Sequence, residues 1–250
     1  MKKIFVSGGS HCIGGGFNWD EVIKVYENKG HVIKNRHDIT YPQLVANYFN
    51  VEVIFEGAFG GSINRMIRKT YEYILENDVK DVLFILELPP GWRDEFYSNE
   101  LNRMVNITIG NVLSPDDNTE VANGYDMNDL HKIHKNISDY FYSFIDYNID
   151  RKKWMMNLLG LLSYFKLNNL KYIVIDTGDF QNFLRTNSKS ENEFSLLWFN
   201  NGNAMHNWIN DEKLTIKCET EGLAGDEHLG LYGHRLVADK IINYIVNDYK

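Results

Sequence analysis

Ser10 is the residue of this sequence best placed to act as a nucleophile. It lies in Ile4-Phe5-Val6-Ser7-Gly8-Gly9-Ser10-His11-Cys12, where a short apolar run breaks into glycines and then carries a hydroxyl. At the other end of the chain, Asp226-Glu227-His228 stands just before a final helix-like segment. A serine hydroxyl attacks poorly until a base takes its proton. A hydroxyl and a histidine in these places have the chemistry of a nucleophile and its base. In an open α/β sheet, ligands bind outside the carboxyl ends of the strands. A residue in the turn after the first strand is at that edge by construction.

The elements that must position these groups follow from periodicity. Residues 3–6, 31–33, 51–55, 81–86 and 172–175 are short apolar runs bounded by turn residues, and they predict buried strands. Helical spacing covers 20–28, 42–49 with Pro42 in its first turn, 63–75 with Ser62 as its cap, and 154–165. Leu130, Ile133, Ile137, Phe141, Phe144 and Ile145 mark a further helix, and 233–246 a terminal one. Strands alternating with helices predict a parallel sheet covered on both faces. Residues 99–119 read as a hairpin or an irregular excursion. Residues 179–211 have no firm period and read as a long decorated loop. The whole of 1–250 reads as one domain, with a helical excursion about 126–168.

Composition narrows the function. A net charge of −8 with no basic block disfavours a nucleic-acid partner. The two cysteines, Cys12 and Cys218, make neither a disulfide framework nor a zinc site, and no His/Cys/Asp group has clear metal spacing. The apolar run after Lys2 and Lys3 is too short for a signal-peptide core. The stretch 154–165 is interrupted by Asn157, Gly160 and Ser163 and cannot span a bilayer. A cytoplasmic protein is the default reading, and a viral or phage product made there would read the same. The oligomeric state is not written in the sequence.

Taken in order, Gly8-Gly9-Ser10, then Gly60-Gly61-Ser62-Ile63-Asn64, then Asp226-Glu227-His228 followed by Gly233-His234, resemble the blocks of the SGNH (GDSL-like) hydrolase superfamily, particularly its compact microbial and viral members. The resemblance implies a three-layer α/β/α, flavodoxin-like domain with a roughly five-stranded parallel sheet. It implies Ser10 as nucleophile, His228 as base and Asp226 as the group that orients the imidazole. The oxyanion would be held by the N–H groups of Ser10 and Gly61. The activity implied is removal or transfer of a small acyl group on an oxygen ester, with O-acetyl on carbohydrate as one candidate, and no cofactor or metal. The chain departs from the family pattern at three places. Gly9 stands where an Asp is usual. Glu87-Leu88-Pro89-Pro90-Gly91-Trp92-Arg93 replaces the third block, Gly-x-Asn-Asp. The acid is two residues before the histidine rather than three. Asn64 is the candidate replacement for the missing asparagine, and Arg93 a candidate substrate contact.

Plainer readings stand beside these. Ser10 also suits a turn residue satisfying backbone groups, and Gly60-Gly61 a simple helix entry. Asn64 suits a helix-end hydrogen-bonder, Asp226 and His228 a loop ion pair, and Arg93 a surface pair with its acidic neighbours. Cys12 reads as a buried filler. Two other functions fit parts of the chain. The Val6–Gly14 run resembles the nucleotide loop of short-chain dehydrogenases, but Cys12 occupies a glycine place and no tyrosine has a lysine four residues later. A hydrolase-like fold kept as a binding or virion module also fits, given the lost third block.

Overall fold

The structure is a computed structural model, and residues 1–15, 19–58, 60–89, 93–98, 103–108, 147–177, 196–197, 205–220 and 228–247 are described. Among the described residues seven strands are formed: β1 Lys3–Ser7, β2 Glu52–Phe55, β3 Val82–Leu88, β4 Arg93–Ser98, β5 Arg103–Thr108, β6 Lys171–Asp176 and β7 Leu196–Leu197. The helices are α1 Trp19–Asn28, α2 Tyr41–Phe49, α3 Ile63–Glu76, α4 Tyr147–Leu167, α5 Met205–Asp211, α6 Ile216–Glu219 and α7 Leu231–Asn247.

Five strands make one parallel sheet in the order β2-β1-β3-β6-β7. Counting only the strands of this sheet, that is the flavodoxin-like order 2-1-3-4-5, whose direction reverses between β1 and β3. The three-layer α/β/α expectation holds. β3 is buried along its whole length, which is why it reads as a continuous apolar run rather than an alternation.

The alternation lies in which face each residue serves. Ile4, Val6, Leu83, Ile85, Ile173 and Ile175 pack under α2, α5 and α7 through Val45, Trp208, Ile209, Val237 and Ile241. Phe5, Phe84, Leu86, Tyr172 and Val174 pack on the other face under α3 and α4, against Met66, Ile67, Leu158, Leu162 and Phe165. α3 is started by Ser62, whose hydroxyl accepts the Arg65 N–H at 3.1 Å, as the sequence indicates.

Three sequence expectations need correction. Residues 31–33 form no strand. Gly30 takes a φ of +87° and the His31 N–H bonds back to the Tyr26 carbonyl, so the segment closes α1 rather than joining the sheet. Val32 is 89% exposed, while Ile33 packs on Val22 and Tyr26 of α1. The fifth strand is instead β7, and it lies inside the stretch read as a loop. That stretch also holds α5, whose buried Met205, Trp208 and Ile209 are at helical spacing. The hairpin forms earlier than its apolar pattern suggests, by antiparallel pairing of β4 with β5. The helix expected across 130–145 lies outside the described residues.

Candidate active site

The first strand delivers Ser10 to the switch point of the sheet. Past Ser7 the chain folds into a turn in which the Gly15 N–H donates to the Ser10 carbonyl at 2.6 Å and the Gly14 N–H to the His11 carbonyl at 3.2 Å. The turn is pinned from two sides. Cys12 Sγ donates to the Gly9 carbonyl at 3.1 Å. The Ala58 N–H, from the turn after β2, donates to the Gly8 carbonyl at 3.2 Å.

The last helix delivers the histidine. His228 precedes α7, and its carbonyl accepts the Ile216 N–H at 2.8 Å, beside an isolated bridge between Thr215 and Leu229. His11 adds a second hold: its Nδ1 accepts the Leu229 N–H at 3.3 Å, and its ring lies 4.8 Å from that of His228. Glu219 fixes the start of α7. Its carboxylate accepts the Tyr232 and Gly233 N–H groups and the Tyr26 hydroxyl, the last at 2.6 Å. A carboxylate at a helix N-terminus is favoured by the orphan N–H groups there and by the helix dipole.

These supports bring together two side chains 218 residues apart: Ser10 Oγ lies 2.5 Å from His228 Nε2. Ser10 is buried and His228 half-buried. Gly15 leaves their space free, since a Cβ there would come within 2.6 Å of Ser10 Cβ and 2.8 Å of His228 Nε2. Nothing in the sequence reading singled out Gly15 or His11 for this place. A glycine two past a turn and a second histidine acquire meaning only when the chain ends meet. Asp226 lies outside the described residues.

The residues expected to complete the site are arranged as follows. Gly61 packs against the Ser10 turn, where a Cβ would stand 2.9 Å from the Gly8 carbonyl oxygen, and its N–H donates to the Ala58 carbonyl at 3.1 Å. Asn64 Nδ2 donates to Asp94 Oδ1 at 2.8 Å, and its Oδ1 accepts Asn157 Nδ2 at 3.4 Å. Arg93 opens β4 and is largely buried. Burial disfavours its charge, and the nearby Glu87 carboxylate supports it. The hairpin that carries Arg93 is clamped to α3. Arg68 grips the Glu95 carboxylate through Nε at 2.9 Å and Nη2 at 2.8 Å, a two-pronged ion pair.

Two deep groups sit behind the turn. Glu87, at the end of β3, is fully buried and accepts the Tyr41 hydroxyl at 2.8 Å. Burial pushes its carboxyl up to about 7, against the pull of Tyr41, the Gly9 and Cys12 N–H groups and Arg93. His234, in α7, is also fully buried. Its Nδ1 accepts the Tyr41 N–H at 3.2 Å, and burial lowers its pKa to about 3, so the ring is neutral. Among the described residues no group of three His, Cys, Asp or Glu side chains is arranged to hold a metal ion. No helix of the described residues is long and apolar enough to cross a membrane.

No family model matches the chain, and no curated protein does. Among solved structures, it is similar to one described as a putative lipolytic protein of the G-D-S-L family from Desulfitobacterium hafniense DCB-2, at 10% identity and a TM-score of 0.47, over 97% of this chain and 99% of that one. A lipolytic G-D-S-L family member from Veillonella parvula DSM 2008 aligns at 13% identity and a TM-score of 0.34, over 99% of this chain and 100% of that one. A carbohydrate esterase, whose active site is described as displaying divergent catalytic and non-catalytic binding functions, aligns at 12% identity and a TM-score of 0.41. That alignment covers 99% of this chain and 65% of the esterase. Scores and identities this low leave the reading of the site to rest on its own geometry.

Proposed function

We propose that this protein is a serine acyl hydrolase acting on oxygen esters, with Ser10 as nucleophile and His228 as general base. The observation that carries the reading is the 2.5 Å approach of Ser10 Oγ to His228 Nε2, at the carboxyl edge of the sheet. A nucleophile and its base within hydrogen-bond reach is the geometry such catalysis requires.

In this reading Nε2 accepts the Ser10 proton as Oγ bonds to the acyl carbon. The tetrahedral intermediate then collapses, and the leaving alcohol takes that proton from Nε2. A water attacks the acyl-enzyme by the same route, and Oγ recovers the proton at the end. Asp226 is the proposed partner of Nδ1, which must carry the other proton. The Ser10 N–H is the proposed principal oxyanion donor. Gly61 and Asn64 contribute only by exchanging their present acceptors, Ala58 and Asp94, for the oxyanion. Arg93 is the proposed substrate contact, and a small acyl group on a carbohydrate is the proposed substrate.

The sheet order weighs against the dehydrogenase-like alternative, because dinucleotide-binding folds have the order 3-2-1-4-5-6. A close Ser–His pair is also more than a binding module needs. A serine-directed fluorophosphonate separates the cases: modification of Ser10, read by peptide mass spectrometry and abolished in Ser10→Ala, is the expected result. An unmodified Ser10, with no turnover across a panel of short acyl esters, overturns the proposal in favour of a binding module.

A further inference from the structure

The acyl-transfer chemistry leaves one buried acid unused. Glu87 is the first residue of the segment that replaces the third block, and it lies directly beneath the nucleophile turn. A Cβ on Gly8 would stand 2.5 Å from Glu87 Cβ, and a Cβ on Gly9 would stand 3.1 Å from Glu87 Oε1 and 3.8 Å from Arg93 Nη1. Gly8 has no room for a side chain because the Glu87 Cβ and backbone stand there, and at Gly9 the Glu87 carboxylate leaves only tight space. Glu87 Oε2 is held by Tyr41. Oε1 is buried without a hydrogen-bond partner, and the Gly9 and Cys12 N–H groups favour the carboxylate's charge.

We propose that the Glu87 carboxylate is the positioning residue of the nucleophile turn: braced by Tyr41 and Arg93, its negative charge draws in the Gly9 backbone so that Ser10 meets His228. The proposal rests on Ser10 being the nucleophile. It gives the third-block position a new task, holding the turn from below instead of donating to the oxyanion.

The groups around Glu87 make that grip sensitive to pH. Tyr41 faces it from α2, Cys12 from the turn and Arg93 from β4. Arg65 of α3 acts on Cys12, and His234 of α7 stacks on Tyr41 with ring centroids 6.0 Å apart. Burial of Glu87 among them brings its titration up to about 7. Below that pH the carboxyl is neutral and its pull on the N–H groups is lost. Above it the charge is present and the turn is held.

The test compares the rate of fluorophosphonate labelling at Ser10 in the wild type and Glu87→Gln across pH. The ratio of the two rates removes every titration the proteins share. The wild type is expected to label roughly 10- to 100-fold faster above about pH 8, the scale of a misplaced reacting group. The ratio should fall toward one below about pH 6, where the wild-type carboxyl is itself protonated. A ratio that is flat with pH overturns the proposal and returns Glu87 to a packing role.

Tyr41→Phe, which removes a hydroxyl that favours the ionised form, is expected to move the wild-type transition to higher pH. It carries the test if Glu87→Gln does not fold, and an unmoved transition overturns the proposal. A readout free of activity is the Gly9 amide resonance. A titration step in the wild type that is absent in Glu87→Gln supports the grip, and a step retained in the variant overturns it. Should wild-type Ser10 never label, the hydrolase reading falls, and the Gly9 resonance alone decides for or against Glu87.

Discussion

Gly15 leaves the space that His228 fills: a Cβ added at position 15 would lie 2.7 Å from the histidine Cδ2 and 2.8 Å from its Nε2. The same Cβ would also press on Ser10. Gly15→Ala is therefore expected to part the pair while leaving the sheet intact, because the clash falls on these two side chains and not on the strands. Labelling and turnover should drop about 100-fold, as small displacements of reacting groups do, with little change in Tm. An alanine variant of full activity would mean that the approach of Ser10 to His228 is not what drives the reaction.

The buried pair His234 and Glu87 should bend the stability curve in opposite directions. His234 is held neutral, with its pKa lowered from 6.5 to about 3. Its stabilising contribution is complete above the unfolded value and is lost as pH falls from about 6.5 to 3, by up to roughly 5 kcal/mol. Glu87 is raised from 4.5 to about 7. Its contribution is complete below the unfolded value and is lost as pH rises from about 4.5 to 7, by roughly 3 kcal/mol. Urea unfolding at a series of pH values should show His234→Asn with a weaker acid-side loss than the wild type. Glu87→Gln should lack the loss on the alkaline side. Parallel curves for wild type and variants would contradict both assignments.

The two thiols should differ sharply in reactivity. Cys12 is buried, and burial together with Glu87 raises its pKa well above the ordinary value, so little thiolate forms. Cys218 is exposed. Under native conditions a thiol reagent should modify one site quickly, and Cys218→Ala should remove that reaction. Rapid modification of Cys12, with loss of ester hydrolysis, would move the nucleophile from Ser10 to Cys12.

Glu219 should matter to both stability and catalysis. It gathers Tyr26, Tyr232 and Gly233 at the start of α7, three residues past His228. Glu219→Gln removes the charge and one acceptor, so one of the two N–H groups or the Tyr26 hydroxyl loses its partner. A cost of about 1–3 kcal/mol is expected, a fall in Tm of several degrees for a chain of this size. Phosphonate labelling should slow as well, because the His228 backbone hangs from the same corner. An unchanged Tm would show that water replaces the carboxylate at the helix start.

The local parts of this protein are written in its sequence. Continuous apolar runs at β1, β3 and β6 announce strands buried on both faces. Ser62 before Ile63 announces the start of α3, and the glycines around Ser10 announce a turn. Each depends on residues a few positions apart, where covalent geometry and burial act directly. The segment 31–33 misled because Val32 and Ile33 carry a strand's composition, yet only a partner strand makes a strand, and Gly30 turns this one back onto α1. β7 was illegible because two leucines become a strand only beside β6. The ordered motifs proposed Ser10 and His228 from opposite ends of the chain. Their meeting at 2.5 Å was decided by the tertiary fold, through the Ile216–His228 bond, the His11 brace and the space at Gly15. Glu87 shows the limit most plainly. In the sequence it is one acid at the end of an apolar run, and its burial under Gly8 and Gly9 exists only because parallel pairing sets β3 against β1.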